Sequence, residues 1–168
     1  MRRSGVETTS GRLTSSASPA RVGSVKVSVV NFAEEEVEIR SVRDRVFGEE
    51  QGVPNSINWD GHDGRCQHVV VRDGDGKVIG TGRLAPCGKI GRLSVLKKFR
   101  GRGVGGKLLA RLLAIARASH LPEVFLHAQT KAVGFYEGEG FEVVGSPFFE
   151  AGIKHLRMSK RLKKNEDE

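Results

Sequence analysis

The run Arg100-Gly101-Arg102-Gly103-Val104-Gly105-Gly106-Lys107 constrains this chain more than any other stretch. It stands between a segment that reads as a strand (Ile90, Leu93, Val95) and one that reads as a helix. In the second, Leu108, Leu109, Leu112, Leu113 and Ile115 recur at helical spacing. Glycines admit backbone conformations closed to other residues and let N–H groups approach a ligand closely. A helix that starts at such a turn adds a dipole that favours an anion. Lys97, Lys98 and Arg100 bring positive charge to the same place. A turn whose only task is to begin a helix needs neither so many glycines nor so much charge.

Two familiar phosphate-binding patterns overlap this run, and both fail on context. Gly101, Gly103 and Gly106 satisfy G-x-G-x-x-G. A dinucleotide-binding half needs an acidic residue at the end of the next strand and a second half of comparable size. Here Glu123 begins that strand, and only about 60 residues remain after the loop. Gly101, Gly106 and Lys107 also satisfy G-x-x-x-x-G-K, but Leu108 follows where a hydroxyl must hold Mg²⁺. Leucine offers no oxygen.

The remaining pattern is that of one mixed α/β domain. Val25–Val30 reads as a strand, and Ala33 to about Glu50 as a helix with Val37, Ile39, Val42, Val46 and Phe47 on its apolar side. Residues 52–65 read as a loop rich in Gly, Pro, Asn and Asp. Gln67–Arg72 and Lys77–Ala85 flank Asp73-Gly74-Asp75-Gly76, a strong hairpin signal. After the glycine run and its helix come a strand at Glu123–Leu126, a helix at Lys131–Glu139, and strands at Phe141–Val144 and Ile153–Met158. The length, 168 residues, suits one domain. No apolar run approaches the length of a membrane-spanning helix.

The formal net charge is +8. Residues 1–26 hold five basic side chains against Glu7, and residues 157–168 hold five against three, so most of the excess lies at the two ends. Nucleic-acid binding is therefore not the expected function of the body; the tails would make weak, salt-sensitive contacts. Residues 1–24, basic and rich in Ser and Thr, are expected to be a disordered tail, and residues 161–168 a charged one, around a domain at 25–160. The cytoplasm is the expected compartment. An organelle is the alternative, because an Arg- and Ser-rich, acid-poor leader also fits a transit peptide. Cys66 and Cys87 are too few for a disulfide framework. Asp60, His62, Asp63, Cys66 and His68 crowd one loop, but their spacing matches no structural zinc pattern, so no metal is expected.

Arg100-x-x-Gly103-x-Gly105 resembles the acyl-CoA pyrophosphate loop of the GNAT superfamily of N-acetyltransferases. Ile90–Val95 resembles that family's central strand. Phe135-Tyr136-Glu137 followed by Gly140-Phe141 resembles its helix-to-strand signature. A narrower likeness is to the ElaA-like and YjcF-like branch. It rests on Val46–Gln51, Trp59–Asp63, Ala128-Gln129 and Gly152–Met158. The resemblance implies an acyl-CoA N-acyltransferase fold: a mixed, mostly antiparallel sheet with a splayed central strand pair, flanked by helices. It also implies acetyl-CoA as acyl donor and an amine of a small molecule or protein as acceptor, with homodimers common in the superfamily.

By the same resemblance, the backbone of Leu93, Ser94 and Val95 meets the pantetheine arm. The loop Gly101, Arg102, Gly103, Val104, Gly105, Gly106 and Lys107 holds the pyrophosphate, Arg100, Arg102 and Lys107 supply charge, and Gln129 adds a cofactor contact. Tyr136, the only tyrosine, is the expected general acid. The base is open among Glu50, Asp60, Asp63, His127 and His155, with Glu50 favoured because the end of the first helix borders the acceptor site in this fold. Glu50, Gln51, Asp60 and His155 are the expected acceptor-side residues. The rival functions are a non-catalytic acyl-CoA-binding module and an acyl-homoserine-lactone synthase of the same fold.

Overall fold

The computed structural model describes residues 24–162. Two antiparallel sheets make up the fold. In the first, β1 (Lys26–Val30), β2 (Gln67–Arg72), β3 (Val78–Leu84) and β4 (Ile90–Val95) lie in chain order. In the second, β7 (Ile153–Arg161) lies between β5 (Glu123–Gln129) and β6 (Glu142–Glu150). The expected tails fall almost wholly outside the described residues; β7 runs to Arg161, and Leu162 is buried with its amide on the Pro122 carbonyl.

The β2–β3 hairpin follows its turn chemistry. Asp73 Oδ1 accepts the amides of Asp75 (2.9 Å) and Lys77 (3.0 Å), and Gly76 takes φ +84°. Val69, Val70 and Val71 are all buried, as is every residue of β3, so both faces of this sheet are covered. One face carries α3 (Val104–Ala118), which buries Leu108, Leu109, Leu112 and Leu113. Each such leucine contributes on the order of 2 kcal/mol. Gly80 and Gly82 make the close approach workable: a β-carbon at Gly82 would sit 2.8 Å from Leu93 Cδ1 and 3.0 Å from Leu112 Cδ1. The other face carries α1 (Phe32–Arg43), whose Phe32 ring lies 4.8 Å from that of His68, the cross-strand partner of Arg83.

Helix α1 begins at Asn31, whose side chain accepts the Glu34 amide at 3.3 Å, and continues past Arg43 as a π-helical segment, Asp44–Glu50. Its buried stripe is Ile39, Val42, Arg43 and Val46. Val37, expected on that side, is 79 % exposed: two residues before Ile39 is more than half a turn away. The expected loop at 52–65 contains α2 (Asn55–Asn58) and a short 3₁₀ turn, Asp63–Arg65. Helix α4 (Val133–Gly138) follows a 3₁₀ turn after β5. β6 is longer than its sequence suggests. It runs through Gly145, Ser146 and Pro147, with a bulge between Val144 and Phe148. As an edge strand it tolerates the missing Pro147 N–H.

Candidate active site

The two sheets meet where β4 and β5 start side by side in parallel. Lys89 bridges Phe125, and the Phe125 amide donates to the Gly88 carbonyl at 3.0 Å. Only glycine fits at this joint. Gly88 has φ +96°, and a β-carbon there would lie 2.8 Å from the Glu123 carbonyl oxygen. Beyond the joint, no ladder connects β4 to β5 among the described residues. The strands diverge and leave a cleft of about 200 Å³.

Its walls come from six parts of the chain: Gly91, Arg92 and Leu93 of β4; His127 and Gln129 of β5; Phe47 and Gln51 after α1; Ile57 and Asn58 of α2; Tyr136 of α4; and Glu150, Ile153 and His155 of the β6–β7 hairpin. In β5, Val124, Leu126 and Ala128 are buried, so the alternate residues Phe125, His127 and Gln129 share the other face. Gln129 Nε2 donates to Gln51 Oε1 at 2.8 Å, tying β5 to the segment after α1.

β4 is bulged here. Ser94 pairs with Thr81 and Gly91 with Arg83, so Arg92 and Leu93 both stand opposite Gly82. Arg92 takes φ +52°, a strained value for a residue with a β-carbon. Its guanidinium donates to the carbonyls of Ile57 (2.6 Å) and Asn58 (3.2 Å) and to Asp60 (3.1 Å), which fastens α2 over the cleft. Asp60 also pairs with Arg83, at 2.6 Å. Asp63 takes Arg43 at 2.6 Å and Arg83 at 2.8 Å. Burial opposes ionisation of both carboxyls, but the arginines outweigh it and hold both below the ordinary aspartate range. The Arg40 and Arg43 guanidiniums lie 4.1 and 3.9 Å from the Trp59 ring centre. Asp60 and Asp63 are thus spent on arginines and do not line the cleft.

Tyr136 is half-buried. Its ring packs against Phe135 and Phe141 at 5.0 and 5.9 Å. Burial raises its phenol to about 12, so it stays protonated at neutral pH. Its hydroxyl has no hydrogen-bond partner among the described residues. His127 Nδ1 lies 2.5 Å from Glu150 Oε1. Burial lowers the His127 pKa and nearby Lys89 lowers it further, against the opposing pull of Glu150. His155 is 8 % exposed, and its Nδ1 meets the Ile153 carbonyl at 2.7 Å.

The glycine run opens α3 as its pattern requires. Gly101 and Gly103 take φ +76° and +82°, and Gly103 is the helix N-cap. Gly106 differs: it is inside the helix, its φ is ordinary, and a β-carbon there would meet nothing within 4 Å. Neither strain nor packing calls for glycine at Gly106, whereas a ligand lying against the backbone would. Arg100 Nε donates to the Val95 carbonyl at 2.8 Å, and its two terminal nitrogens meet both Glu50 oxygens at 2.8 and 3.0 Å. Glu50 therefore faces the loop's arginine and does not line the cleft.

Of the side chains singled out from sequence, Tyr136, Gln51, Gln129, His127 and His155 gather at the cleft, while Glu50, Asp60 and Arg100 stand in ion pairs beside it. Glu150 and Arg92 gave no signal in the sequence. Glu150 is 23 residues from His127, and only the hairpin brings the two together.

The sequence profile of the acetyltransferase (GNAT) domain matches residues 30–162. The chain is 40 % identical over 123 residues to a Bacillus subtilis (strain 168) protein called "uncharacterized N-acetyltransferase YjcF", across 71 % of this chain and 87 % of that one. Its fold is similar to the crystal structure of Escherichia coli ElaA, with a TM-score of 0.72 and 25 % identity, covering 82 % of this chain and 99 % of that one. A likeness in fold alone, at 13 % identity and a TM-score of 0.59, is to a GNAT family acetyltransferase from Elizabethkingia anophelis with acetyl-CoA bound; it covers 82 % of this chain and 98 % of that one. A profile that spans both sheets, and relatives matched over most of their own length, carry one conclusion: this chain belongs to the GNAT acetyltransferase family, in the branch of YjcF and ElaA, and is an acyltransferase.

Proposed function

We propose that the protein transfers the acetyl group of acetyl-CoA to a primary amine by direct attack on the thioester. The observation that carries this reading is the Tyr136 hydroxyl, unpartnered among the described residues, on the wall of a cleft between diverging strands. The open glycine loop at the start of α3 supports it, as does the acetyl-CoA held by the Elizabethkingia protein of the same fold.

In this reading the amides from Arg102 to Lys107, with the helix dipole behind them, take the pyrophosphate, and Lys107 adds charge. Arg100, at the start of the loop, is paired with Glu50. The backbone of β4 at Leu93, Ser94 and Val95 takes the pantetheine arm, beside the Val95 carbonyl that accepts Arg100 Nε. Its amides stabilise the charge that develops on the thioester oxygen. The β4 bulge at Arg92 sets the direction of those groups. Gln129 and Gln51 brace the cleft from the β5 side. Tyr136 donates its proton to the departing thiolate. Gln51 and His155 face the acceptor.

Calorimetry with acetyl-CoA and a thiol-release assay across amines test this directly. Tyr136→Phe is expected to lower kcat by about 10²-fold with acetyl-CoA affinity little changed. Absence of acetyl-CoA binding by the wild type overturns the reading. Tight binding without turnover of any amine replaces it with a non-catalytic acyl-CoA module.

A further inference from the structure

We propose that His127 is the general base of this transfer and that Glu150 is the positioning residue that fixes its proton-accepting form. The inference rests on the acetyl-transfer reading above and adds to it the residue that takes the proton from the amine.

Glu150 as a carboxylate can only accept a hydrogen bond, so the 2.5 Å contact places the His127 proton on Nδ1. Nε2 then carries a lone pair, and it has no partner among the described residues. This is the arrangement a general base needs: an imidazole held in one tautomer by an anion that stabilises the imidazolium as it forms. The ring is held as well. Phe148 meets it edge-on at 4.9 Å, and Phe125 lies 6.3 Å away. The charged groups around it are Glu150 from β6, Arg157 opposite it on β7, and Lys89 at the entry to β4. Their balance and the partial burial leave the imidazole neutral at pH 7, ready to accept.

The other candidates lack this arrangement. Both Glu50 oxygens hold Arg100, and Asp60 and Asp63 are each held by two arginines. His155 lines the cleft, but its Nδ1 faces a backbone carbonyl, which stabilises an imidazolium far less than a carboxylate does. His127 and Tyr136 line the same cleft from different elements, one to take a proton and one to give one.

The step balances. The amine nitrogen attacks the thioester carbon; the C–N bond forms and the C–S bond breaks. The amine proton goes to His127 Nε2, and the Tyr136 proton goes to the leaving sulfur. Solvent then returns a proton to Tyr136 and takes one from His127. An acceptor that arrives as an ammonium ion loses one further proton to solvent.

The test combines kinetics with a direct view of the imidazole. In full-length protein, long-range ¹H–¹⁵N spectra at neutral pH should show His127 protonated on Nδ1 and bare on Nε2. With acetyl-CoA and a primary amine that the wild type turns over, His127→Gln should lower kcat by about 10²-fold, with the KM for acetyl-CoA little changed. The acidic limb of kcat at saturating acetyl-CoA and amine, expected below 6.5, should vanish in that variant. Glu150→Gln should move the limb to lower pH, because the anion that favours the imidazolium is gone. Lys89→Gln should move it to higher pH. A His127→Gln enzyme with the wild-type rate and limb overturns the assignment and leaves acetyl transfer standing, and so does a proton found on Nε2. A wild type that releases no thiol with any amine overturns the acetyl-transfer reading itself.

Discussion

Ala151 is a residue whose backbone works against its side chain. It takes φ +51° beside Gly152 at φ +75°, in the two-residue turn that joins β6 to β7. That turn needs positive φ at both central residues, which suits Asn-Gly or Gly-Gly and penalises alanine. The left-handed conformation costs a β-carbon roughly 1–2 kcal/mol. Glycine's larger loss of backbone entropy on folding offsets part of that. Ala151→Gly should therefore stabilise the protein by about 1 kcal/mol, read as a higher urea midpoint at unchanged slope. An unchanged or lower midpoint shows that the turn carries no strain. Glu150 immediately precedes this turn, so the strained pair sets where the partner of His127 is presented.

At the level of the element, α3 has two kinds of glycine. Gly103 is fixed by its left-handed backbone at the N-cap. Gly106 has a helical backbone and open space around the missing β-carbon. An alanine there should favour the helix by up to about 1 kcal/mol. If the first turn of α3 receives the pyrophosphate, the same methyl group stands where the ligand must lie. Gly106→Ala is thus expected to raise the denaturation midpoint and lower acetyl-CoA affinity about tenfold or more by calorimetry, an opposition that a purely structural glycine does not produce. Unchanged affinity would place the diphosphate elsewhere. β4 shows the same division of labour: its bulge and the strained Arg92 disrupt the ladder at the point where the cleft opens.

For the whole molecule, the arginine–aspartate cluster joins α1, the 52–66 segment, β3 and β4 into one body. Arg43 is 1 % exposed and also donates to the Asn58 carbonyl. Such a cluster makes stability depend on pH in a definite sense. Asp60 and Asp63 have folded pKa values below the ordinary 3.8. Their contribution is complete above that value and is lost as pH falls toward the folded ones. His68 and His127 have folded values below 6.5, mainly because burial disfavours the imidazolium. The unfolded chain binds those protons first, so stability also declines as pH falls from about 6.5. Urea midpoints between pH 8 and about 3 should therefore fall in two stages, a shallow one through the histidine range and a steeper one through the carboxylate range. His68→Gln together with His127→Gln should flatten the first and leave the second. A single transition confined to the carboxylate range contradicts this account.

Much of the fold was legible from local pattern. The Asp73–Gly76 turn, the leucines of α3 and the glycine run each act within a few residues, and each formed close to its expected bounds. The GNAT family was legible too, because its loop and its Tyr136 segment are short motifs at a fixed separation. The site was legible only in part. Tyr136, Gln51, Gln129, His127 and His155 could be singled out as residue types in known motifs, and they gather at the cleft. What each side chain does there depends on partners brought from far along the chain. Glu50 is taken up by Arg100, Asp60 by Arg83 and Arg92, and His127 by Glu150. The sequence alone determined the turns, the amphipathic helix and the glycine-rich loop that opens it, since these follow from backbone freedom and short-range periodicity. Only the tertiary structure decided which acids are neutralised by arginine and which histidine meets a carboxylate, because ion pairing and desolvation are set by distances that folding alone creates.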